Sequence, residues 1–301
     1  MSAVPKVAVV FATMNRSATA LACVRALAAQ TAPPAMVVVA DNVSEDGTAA
    51  DLLALRDLPF RFILHRMAEN RGNAGGVEEA MEMAFAEGAD AVWILDDDSW
   101  PRPDALAEML VEPYDDAVVL HPIQIDPANG RFTWPLQILN DGVWRLVFSM
   151  DEMPPGKRTR SRGVWTGALV SRRIREVIGP VRGELFIRGE DEEYPWRMEG
   201  SGFHHAAIHA AILDHPGPKN MVMMSLFGKR LFFEKGLPDT KLHYKVRNMV
   251  WLKRRQSCGF KAILTALAYA LAALRFDGPS RLPLVGKAAI DGWRGKLGHI
   301  S

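Results

Sequence analysis

Through the first 120 residues, short runs rich in β-branched side chains alternate with longer stretches of helical periodicity. Strands are predicted at VAVVFA (7–12), MVVVA (36–40), FILH (62–65), AVWIL (91–95) and AVVLH (117–121). The stretches between them, ALACVRALAAQ, TAADLLALR and GGVEEAMEMAFAEG, are predicted helices, and Ser17 is placed to cap the first. Such alternation indicates βαβ units, so we expect an α/β fold with a mostly parallel, Rossmann-like sheet flanked by helices.

The pattern changes after residue 121. Short runs broken by Pro, Asn and Gly predict a hairpin insert at 122–148, and the charged segment at 151–162 is predicted to be a mobile loop. VWTGALVS (164–171) has strand character, RRIREVIG has helical character, and LFIRGEDEEYPWRMEGSG predicts a strand that runs into an acidic helix start. Residues 216–236 show no clean period and are predicted to form a partly ordered flap, with helices from there to the end.

Charge is distributed unevenly, although the net charge of the chain is only +1. Residues 219–301 contain 16 Lys and Arg against 4 Asp and Glu, whereas residues 1–218 contain 20 against 31. We therefore expect two domains with different partners, one acidic at 1–218 and one basic and helical at 219–301. With 49% hydrophobic residues the chain can build a real core, which excludes disordered and fibrous classes.

One uncharged and almost wholly apolar stretch, AILTALAYALAAL (262–274), has 13 residues and has Lys or Arg on both sides. It is shorter than the roughly 18 residues of a membrane span but suits a helix that lies on an anionic membrane surface. An ordinary core helix with a basic flank explains it equally well. Only two cysteines are present, and the N-terminal residues lack a signal-peptide pattern, so we expect a cytoplasmic protein.

Three consecutive carboxylates, Asp96, Asp97 and Asp98, follow the predicted fourth strand directly. At a separation of about 4 Å two like charges repel by roughly 4 kcal/mol at an effective dielectric of 20, so the triplet indicates a bound cation. Alternate residues of an extended strand point the same way, which directs Asp96 and Asp98 to one face and Asp97 to another. Carboxylate oxygens are hard ligands that suit Mg²⁺ or Mn²⁺.

Polar clusters also follow the first three strands, and the carboxyl ends of strands in an open α/β sheet line one crevice. Among these clusters, NRGNAGG (70–76) opens a helix, and its glycines would let backbone N–H groups approach an anion. Taken alone, a plain strand-to-helix turn explains this segment better, because it matches neither GxGxxG nor GxxxxGK[ST]. Together with the Asp triplet it indicates a diphosphate bridged to the carboxylates by a divalent cation.

A second acidic cluster, Glu190–Glu193, begins the helix predicted at GEDEEYPWR. Acidic side chains stabilise a helix N-terminus, which is the structural explanation; the functional one is that a carboxylate acts as a general base on an attacking hydroxyl. His215 follows a strand-like run and precedes PGP, so it is placed to reach a metal. The other histidines of this region are interpreted as structural: His204, His205 and His209.

Five segments, in this order, resemble the family 2 glycosyltransferases with a GT-A fold: VVFATMNR, VADN, NRGNAGG with its helix, WILDDD, and LFIRGEDEEY followed by a metal-type His. The resemblance covers about residues 5–255. A sixth segment, YKVRNMVWLKRR, resembles the Y-x-x-R-N helix of bacterial rhamnosyl- and galactofuranosyltransferases. Within the family, the sequence is most similar to actinobacterial galactofuranosyltransferases that build cell-wall galactan on a lipid-linked acceptor.

The resemblance implies that Asp98 and His215 are ligands of Mn²⁺ or Mg²⁺, that Asp96 contacts the nucleotide ribose with a further role as metal ligand, and that Asp191 is the base. Glu190 stays the alternative base because four acids are contiguous. Trp165 and Glu192 are expected on the acceptor side. The residues implied in binding the nucleotide sugar are Thr13, Asn15, Arg16, Asp41, Asn70, Arg71, Asn73, Gly75, Gly76, Asp96 and Asp97.

The implied reaction is a single in-line displacement with inversion, from a nucleoside-diphosphate sugar, UDP-galactofuranose being favoured, to a glycan or polyprenyl-diphosphate-linked acceptor. Residues 1–218 would be the catalytic domain, and the basic C-terminal region would face the acceptor or the inner membrane leaflet. A rhamnosyltransferase using dTDP-rhamnose shares almost every motif and remains open, as does the oligomeric state. A non-catalytic sugar-nucleotide-binding or membrane scaffold protein is the alternative of another class, and nucleic acid is not an expected partner.

Overall fold

The computed structural model describes residues 4–111, 114–218, 220–226, 229–257 and 259–300. The chain separates into two compact units. The first contains the described residues up to Val181 together with Tyr194–Gly217, and the second contains Arg182–Glu193 and the described residues from Pro218 onwards. The division near residue 218 lies next to the predicted domain boundary, but the acidic segment 182–193 belongs to the second unit.

The first unit is built on one large sheet, which has eleven strands within the part of the chain that the structure describes. In chain order the strands are β1 Val7–Thr13, β2 Met36–Asp41, β3 Arg61–Arg66, β4 Ala91–Ile94, β5 Trp100–Pro101, β6 Val118–Ile125, β7 Leu136–Asn140, β8 Val143–Val147, β9 Arg158–Ser161, β10 Leu169–Ser171 and β11 His204–Asp214. The helices are α1 Ser17–Ala28, α2 Thr48–Leu53, α3 Gly72–Ala86, α4 Ala105–Met109, α5 Arg172–Ile178 and α6 Glu190–Gly200, the last beginning in the second unit.

The strands lie in the order β3-β2-β1-β4-β10-β6-β11-β9-β7-β8, with β5 paired to β11. From β3 to β11 every strand runs in the same direction except β10, which is antiparallel to both of its neighbours. Strands β1, β2 and β4 are buried along their whole length, as expected for parallel strands covered by helices on both faces. The predicted fold class, a mostly parallel α/β sheet flanked by helices, is confirmed.

Two predictions for the first unit are wrong in detail. Ser17 is the first residue of α1 rather than its cap; Arg16 occupies the cap position, and the Ser17 hydroxyl donates to Asp51 Oδ2 at 2.5 Å. The segment predicted as a loop at 151–162 contains a 3₁₀ turn, Met150–Glu152, and the strand β9, which pairs with β11. In β9 the arginines are exposed and the small hydroxyl side chains are buried, so its charges obscured a regular alternation.

Two further stretches are shorter or different from their predictions. VWTGALVS contains only the three-residue strand β10, and the residues before it form a turn at the end of β4. LFI is not a strand: Gly183–Leu185 is a 3₁₀ turn, and Phe186 and Arg188 have φ of 66° and 67°. The predicted hairpin insert is confirmed as β7 and β8.

Within its described residues, the part of the second unit after Pro218 forms a hairpin followed by three α-helices. Its elements are β12 Met221–Leu226, β13 Lys229–Glu234, α7 Asp239–Gln256, α8 Gly259–Phe276 and α9 Leu282–Arg294, with a 3₁₀ turn at Pro279–Arg281. The prediction of a partly ordered flap at 216–236 is wrong, because β12 and β13 form a hairpin there. The Met-rich run of this segment has no alternation of polar and apolar residues that would have indicated a strand. A core of mostly small and aliphatic side chains holds the unit together: Phe233, Leu237, Leu242, Val246, Val250, Ala262, Ala272, Ala273, Val285 and Ala288.

Among the described residues, α8 is the one helix that is long and apolar enough to cross a membrane by length and composition. The sequence-based count of 13 residues stopped at the flanking charges, whereas the helix of 18 residues includes Lys261 and Arg275. Only 17% of its apolar window is buried within the structure.

Candidate active site

Asp96, Asp98 and His215 come together at the carboxyl end of β4, in the first unit. One ligand atom from each lies within 4.8 Å of the others. His215 Nε2 is 3.8 Å from Asp96 Oδ2 and 3.5 Å from Asp98 Oδ1, and all three side chains are partly buried. Two carboxylates and an imidazole on one small volume are a donor set that suits Mn²⁺ or Mg²⁺ completed by other oxygens.

Two hydrogen bonds hold the backbone of His215. Its N–H donates to Ile125 O at 2.9 Å, and its carbonyl accepts from the Thr133 hydroxyl at 2.7 Å. Burial disfavours the imidazolium, but Asp98 and Asp96 outweigh burial and raise the pKa of His215. Ring atom Nδ1 is buried and has no hydrogen-bond partner among the described residues.

Asp97 points away from this trio and into the protein. It is 5% exposed, accepts from the Thr13 hydroxyl at 2.7 Å, and pairs with Arg16 at 3.0 Å. Burial raises the pKa of Asp97 to about 7 even though Arg16 and Thr13 act in the opposite direction. The same guanidinium bonds Asp98 at 2.6 Å, so Arg16 joins two of the three carboxylates.

The Asp98 carboxylate is strongly stabilised as an anion. Burial acts to raise its pKa, but hydrogen bonds from His215 and Arg16 and their charges hold the pKa of Asp98 well below its ordinary value. Arg16 and His215 therefore offset part of the negative charge that was predicted to need a cation.

The arrangement of the triplet has a different origin from the one predicted. Strand β4 ends at Ile94, and the triplet lies in a turn closed by Ser99, whose Oγ accepts from Asp96 N at 3.0 Å and donates to Asp96 O at 2.7 Å. Strand alternation therefore does not separate Asp97 from its neighbours; the turn does. Thr166, which sequence reasoning missed, donates from Oγ1 to Asp96 Oδ2 at 2.5 Å.

The loops after β1 and β2 are joined by side-chain hydrogen bonds. Asn15 accepts from Glu45 N at 2.7 Å, and its own N–H donates to the Ser44 hydroxyl at 2.9 Å. Asp41 is fully buried; its Oδ1 accepts from Ser44 N at 3.0 Å, while Oδ2 has no hydrogen-bond partner among the described residues. Asp41 thus has one buried acceptor atom without a partner among the described residues, and Asn15 links the two loops.

The NRGNAGG segment forms the first turn of α3 and the residues before it. Asn70 Oδ1 accepts from Gly72 N at 2.9 Å, Arg71 is exposed and pairs with Glu79, and Asn73 is half-buried. A Cβ on Gly76 would lie 2.8 Å from Ala12 Cβ and 2.9 Å from Asn42 Nδ2. Gly76 therefore serves the close packing of α3 on the sheet, and a Cβ on Gly75 would meet Arg71 Cβ at 2.6 Å.

Trp165, expected on the acceptor side, is 4% exposed. Its ring lies edge-on to Tyr194 with the centroids 5.9 Å apart. The indole N–H is buried and has no hydrogen-bond partner within the described part of the chain.

The predicted base and its neighbours lie in the second unit. Asp191 is exposed, and its Oδ1 accepts from Gly189 N at 2.9 Å, whereas Glu190 is 3% exposed. Glu192 is exposed and pairs with Lys253 at 3.1 Å. Glu193 is buried and pairs with Arg182 at 3.0 Å. Of the two candidates for the base, Asp191 is the one whose side chain is exposed to solvent.

Sequence reasoning missed Thr166 as a residue that orders the site. Thr166 has no local motif and reaches Asp96 only because β10 lies beside β4. Asn42, the last residue of the VADN segment, directly follows β2, and its side chain bonds Arg71 N and Gly72 O across neighbouring loops.

Residues 8–179 match the sequence model described as Glycosyl transferase family 2. Galactofuranosyltransferase GlfT1 of Mycobacterium tuberculosis, found in two strains, is 32% identical over 201 residues, which cover 63% of this chain and 63% of that protein. The chain thus spans about 63% of the length of these curated relatives.

Solved structures share the fold. Staphylococcus aureus TarS 1-349 in complex with UDP-GlcNAc gives a TM-score of 0.58 at 14% identity, covering 95% of this chain and 81% of that one. The mannosyltransferase PcManGT from Pyrobaculum calidifontis, in complex with GDP-Man and Mn²⁺, gives 0.54 at 20% identity, covering 97% and 76%. The predicted GT-A architecture is confirmed by these matches.

Proposed function

The chain belongs to glycosyltransferase family 2, and on that premise we propose that it transfers galactofuranose from UDP-galactofuranose to a hydroxyl of a cell-envelope glycan, with inversion. The observation that carries the proposal is the meeting of Asp96, Asp98 and His215 at the carboxyl end of β4. The similarity to proteins named galactofuranosyltransferase favours this donor. The acceptor we propose is a glycan carried on a polyprenyl diphosphate.

Asp98 and His215 would hold a Mn²⁺ or Mg²⁺ ion, with Asp96 as a further ligand or a contact of the ribose. A bound divalent ion supplies charge stabilisation for the departing nucleoside diphosphate. The trio fits such an ion because Asp98 is held as an anion and His215 Nε2 already faces both carboxylates. Mn²⁺ in a structural neighbour agrees with this choice.

The nucleoside would be held by the ends of β1 and β2. Asp41 Oδ2, buried and without a partner among the described residues, would accept the imide N–H of uracil. Thr13 and Arg16, ordered by Asp97, would complete this side of the pocket. The start of α3, with Asn70, Arg71, Asn73 and its glycines, would offer donors to the donor substrate.

Asp191 would remove the proton from the acceptor hydroxyl as that oxygen attacks the anomeric carbon. Its carboxylate is exposed and is oriented by the Gly189 N–H, and the neighbouring Glu192 would face the acceptor. One proton leaves the acceptor, one glycosidic bond forms, and the bond to the diphosphate breaks on the opposite side, which inverts the configuration.

An experiment on the pure protein tests the donor. UDP-galactofuranose, dTDP-rhamnose and other nucleotide sugars are incubated with Mn²⁺ or Mg²⁺ and a polyprenyl-diphosphate-linked acceptor, and nucleoside diphosphate release is measured. We expect release from UDP-galactofuranose. Release from dTDP-rhamnose instead would establish the rhamnosyltransferase alternative, and release from none would favour a non-catalytic binding or scaffold protein.

We also propose that the second unit lies on the cytoplasmic face of a membrane. The exposed side of α8 carries an unbroken apolar stripe at helical spacing, with side chains 42–64% exposed: Phe260, Ile263, Leu264, Leu267, Leu271 and Leu274. On α9, Ile290 and Trp293 extend it at a spacing of three residues. The water-exposed surface of a monomeric soluble protein rarely carries a contiguous apolar stripe, whereas a helix that lies in a bilayer interface buries one among the acyl chains.

Two other features of this unit support the membrane proposal. Apolar side chains of α7, α8 and α9 line an open cavity of about 430 Å³, large enough for part of a lipid chain. Exposed cations lie at both ends of the apolar stripe, among them Arg254, Lys261 and Arg275. Each cation near an anionic surface contributes about 1 kcal/mol to binding.

A further inference from the structure

The Y-x-x-R-N motif of α7, Tyr244, Arg247 and Asn248, contacts the segment that leads into the predicted base, and both lie in the second unit. Asn248 Nδ2 donates to three carbonyls in this segment, at 2.8 Å to Leu185, 3.1 Å to Ile187 and 2.7 Å to Arg188. The N–H groups of this fully buried amide therefore bond three carbonyls within residues 185–188.

Arg247 and Tyr244, which precede Asn248 by one and four residues in α7, contact the same segment. Arg247 donates to Leu185 O at 3.2 Å and, through Nε, to Asn248 Oδ1 at 2.9 Å, which fixes the orientation of the amide. The Tyr244 ring stacks on Phe186, with centroids 4.9 Å apart and planes 16° from parallel. Arg247 also donates to Gly298 O at 2.7 Å.

The segment held in this way has an unfavourable backbone. Phe186 and Arg188 have φ of 66° and 67°, and Gly189 has φ of 139°. A residue other than glycine is strained in the left-handed region, so this conformation requires compensating contacts. A Cβ on Gly189 would lie 2.8 Å from Asn248 Cβ, which shows how closely the helix and the segment approach.

Contacts lead without interruption from Asn248 to the carboxylate of Asp191. Asn248 fixes the carbonyl of Arg188; the next residue, Gly189, packs on Asn248 and donates its N–H to Asp191 Oδ1 at 2.9 Å. The carbonyl of Gly189 accepts from Glu192 N and Glu193 N, so it also fixes the first turn of α6.

We propose that Tyr244, Arg247 and Asn248 form a clamp that sets the position of the Asp191 carboxylate through the backbone of residues 185–189. Asn248 is the central positioning residue of the clamp. This inference rests on the proposed function, in which Asp191 is the base. Because displacement of a reacting group by about 1 Å can cost a hundredfold in rate, loss of the clamp should appear in turnover rather than in donor binding.

The kinetic test compares Asn248→Ala with the matched surface variant Asn220→Ala, using release of UDP from UDP-galactofuranose. We expect kcat to fall at least tenfold in Asn248→Ala, with the donor KM and Mn²⁺-dependent UDP binding changed less than twofold, and Asn220→Ala to behave as the unmodified protein. Tyr244→Leu, which keeps apolar volume but removes the stacking, is expected to show a smaller loss of the same kind and serves if Asn248→Ala does not fold.

Two readouts separate positioning from a general structural effect. Combining Asn248→Ala with Asp191→Asn should give a rate no lower than Asp191→Asn alone, because the clamp acts through Asp191; a further drop equal to that of Asn248→Ala alone would overturn the proposal. Amide hydrogen exchange should quicken in residues 184–193 of Asn248→Ala and of Tyr244→Leu.

Unchanged exchange in that segment in both variants would also overturn the clamp, whatever the activity. If the unmodified protein releases no nucleotide from any donor, the proposed function fails, and hydrogen exchange alone decides whether the clamp exists. If the protein is active and the Asn248 variant keeps its kcat, the proposed function stands and the clamp is wrong.

Discussion

Asp97 illustrates how neighbouring residues of one type divide their roles. Asp96 and Asp98 face His215, whereas Asp97 is buried against Thr13 and Arg16. The triplet thus combines two carboxylates that face His215 with one inward anchor for the loop after β1. This division explains how three adjacent carboxylates can be tolerated, because Arg16 lies between Asp97 and Asp98 and His215 lies between Asp96 and Asp98.

Asp191→Asn is predicted to reduce turnover by at least a thousandfold and to leave Mn²⁺-dependent UDP binding within twofold of the original. The amide keeps the size of the carboxylate but cannot accept the proton of the acceptor hydroxyl. Initial rates and calorimetric UDP titrations measure the two quantities. Glu190→Gln is the control; if it loses activity and Asp191→Asn does not, the alternative base is the correct one.

At the scale of single elements, α3 depends on Gly76 for its distance from the sheet. Gly76→Ala is predicted to lower the free energy of unfolding by about 1–3 kcal/mol, because the added Cβ would lie 2.8 Å from Ala12 Cβ. Chemical denaturation measures the change. Gly200→Ala, where a new Cβ meets nothing within 4 Å, is the matched control and should change stability by less than about 0.5 kcal/mol.

Helix α8 is predicted to bind membranes through its exposed stripe. The double variant Leu267→Glu with Leu271→Glu should sediment at least tenfold less with vesicles of equal parts phosphatidylglycerol and phosphatidylcholine, since each buried leucine contributes about 1.5–3 kcal/mol. Added salt should weaken binding of the unmodified protein. Leu53→Glu, at an equally exposed site on α2, is the control, and equal sedimentation of all three proteins would mean that α8 is not the anchor.

Helices and strands were predicted correctly where one hydrophobic period dominated the sequence. The prediction failed where charged side chains or distant contacts opposed the local pattern. The strands β1 to β4 are continuous apolar runs, so their positions were correct within about one residue. Strand β9 was missed because exposed arginines are also typical of loops. LFI was predicted to be a strand, but its backbone turns where the side chain of Asn248 in α7 bonds the segment. Contacts with a helix some sixty residues away leave no local signal.

At the scale of the whole molecule, the order of motifs in the sequence predicted the residues of the candidate site. It did not predict the contacts that hold those residues in position. Asp96, Asp98 and His215 were predictable because each follows a predicted strand, and the carboxyl ends of parallel strands lie at one edge of the sheet. Thr166 could not be found in this way, because its contact with Asp96 depends on the pairing of β10 with β4. The Y-x-x-R-N segment did include Asn248, but its partners at residues 185–188 could not be predicted from the sequence.

Buried histidines predict how stability depends on pH. His121 bonds Pro122 O at 2.9 Å and the Ser161 hydroxyl at 2.7 Å, which satisfies a neutral ring, and burial lowers its pKa to about 4. Above pH 6.5 the ring is neutral in both states, whereas below it only the unfolded chain gains the proton. Stability should therefore fall as pH drops from about 6.5 to 4, by up to about 3 kcal/mol.

Thermal unfolding between pH 7.5 and 4 measures this dependence, and His121→Gln should flatten it. Burial also lowers the pKa of His205, to about 3, so part of the dependence should remain in the variant. An equally steep loss in both proteins would exclude His121 as a source.

The most direct measurement of the central claim is a titration of Mn²⁺ into the protein in the presence of UDP, with free Mn²⁺ followed by electron paramagnetic resonance. We predict one tightly bound ion per chain, and a dissociation constant raised ten- to a hundredfold or more in Asp98→Ala and in His215→Ala. His204→Ala, at an exposed histidine of β11, should leave it unchanged. Mn²⁺ uptake that is the same in all four proteins would contradict the account.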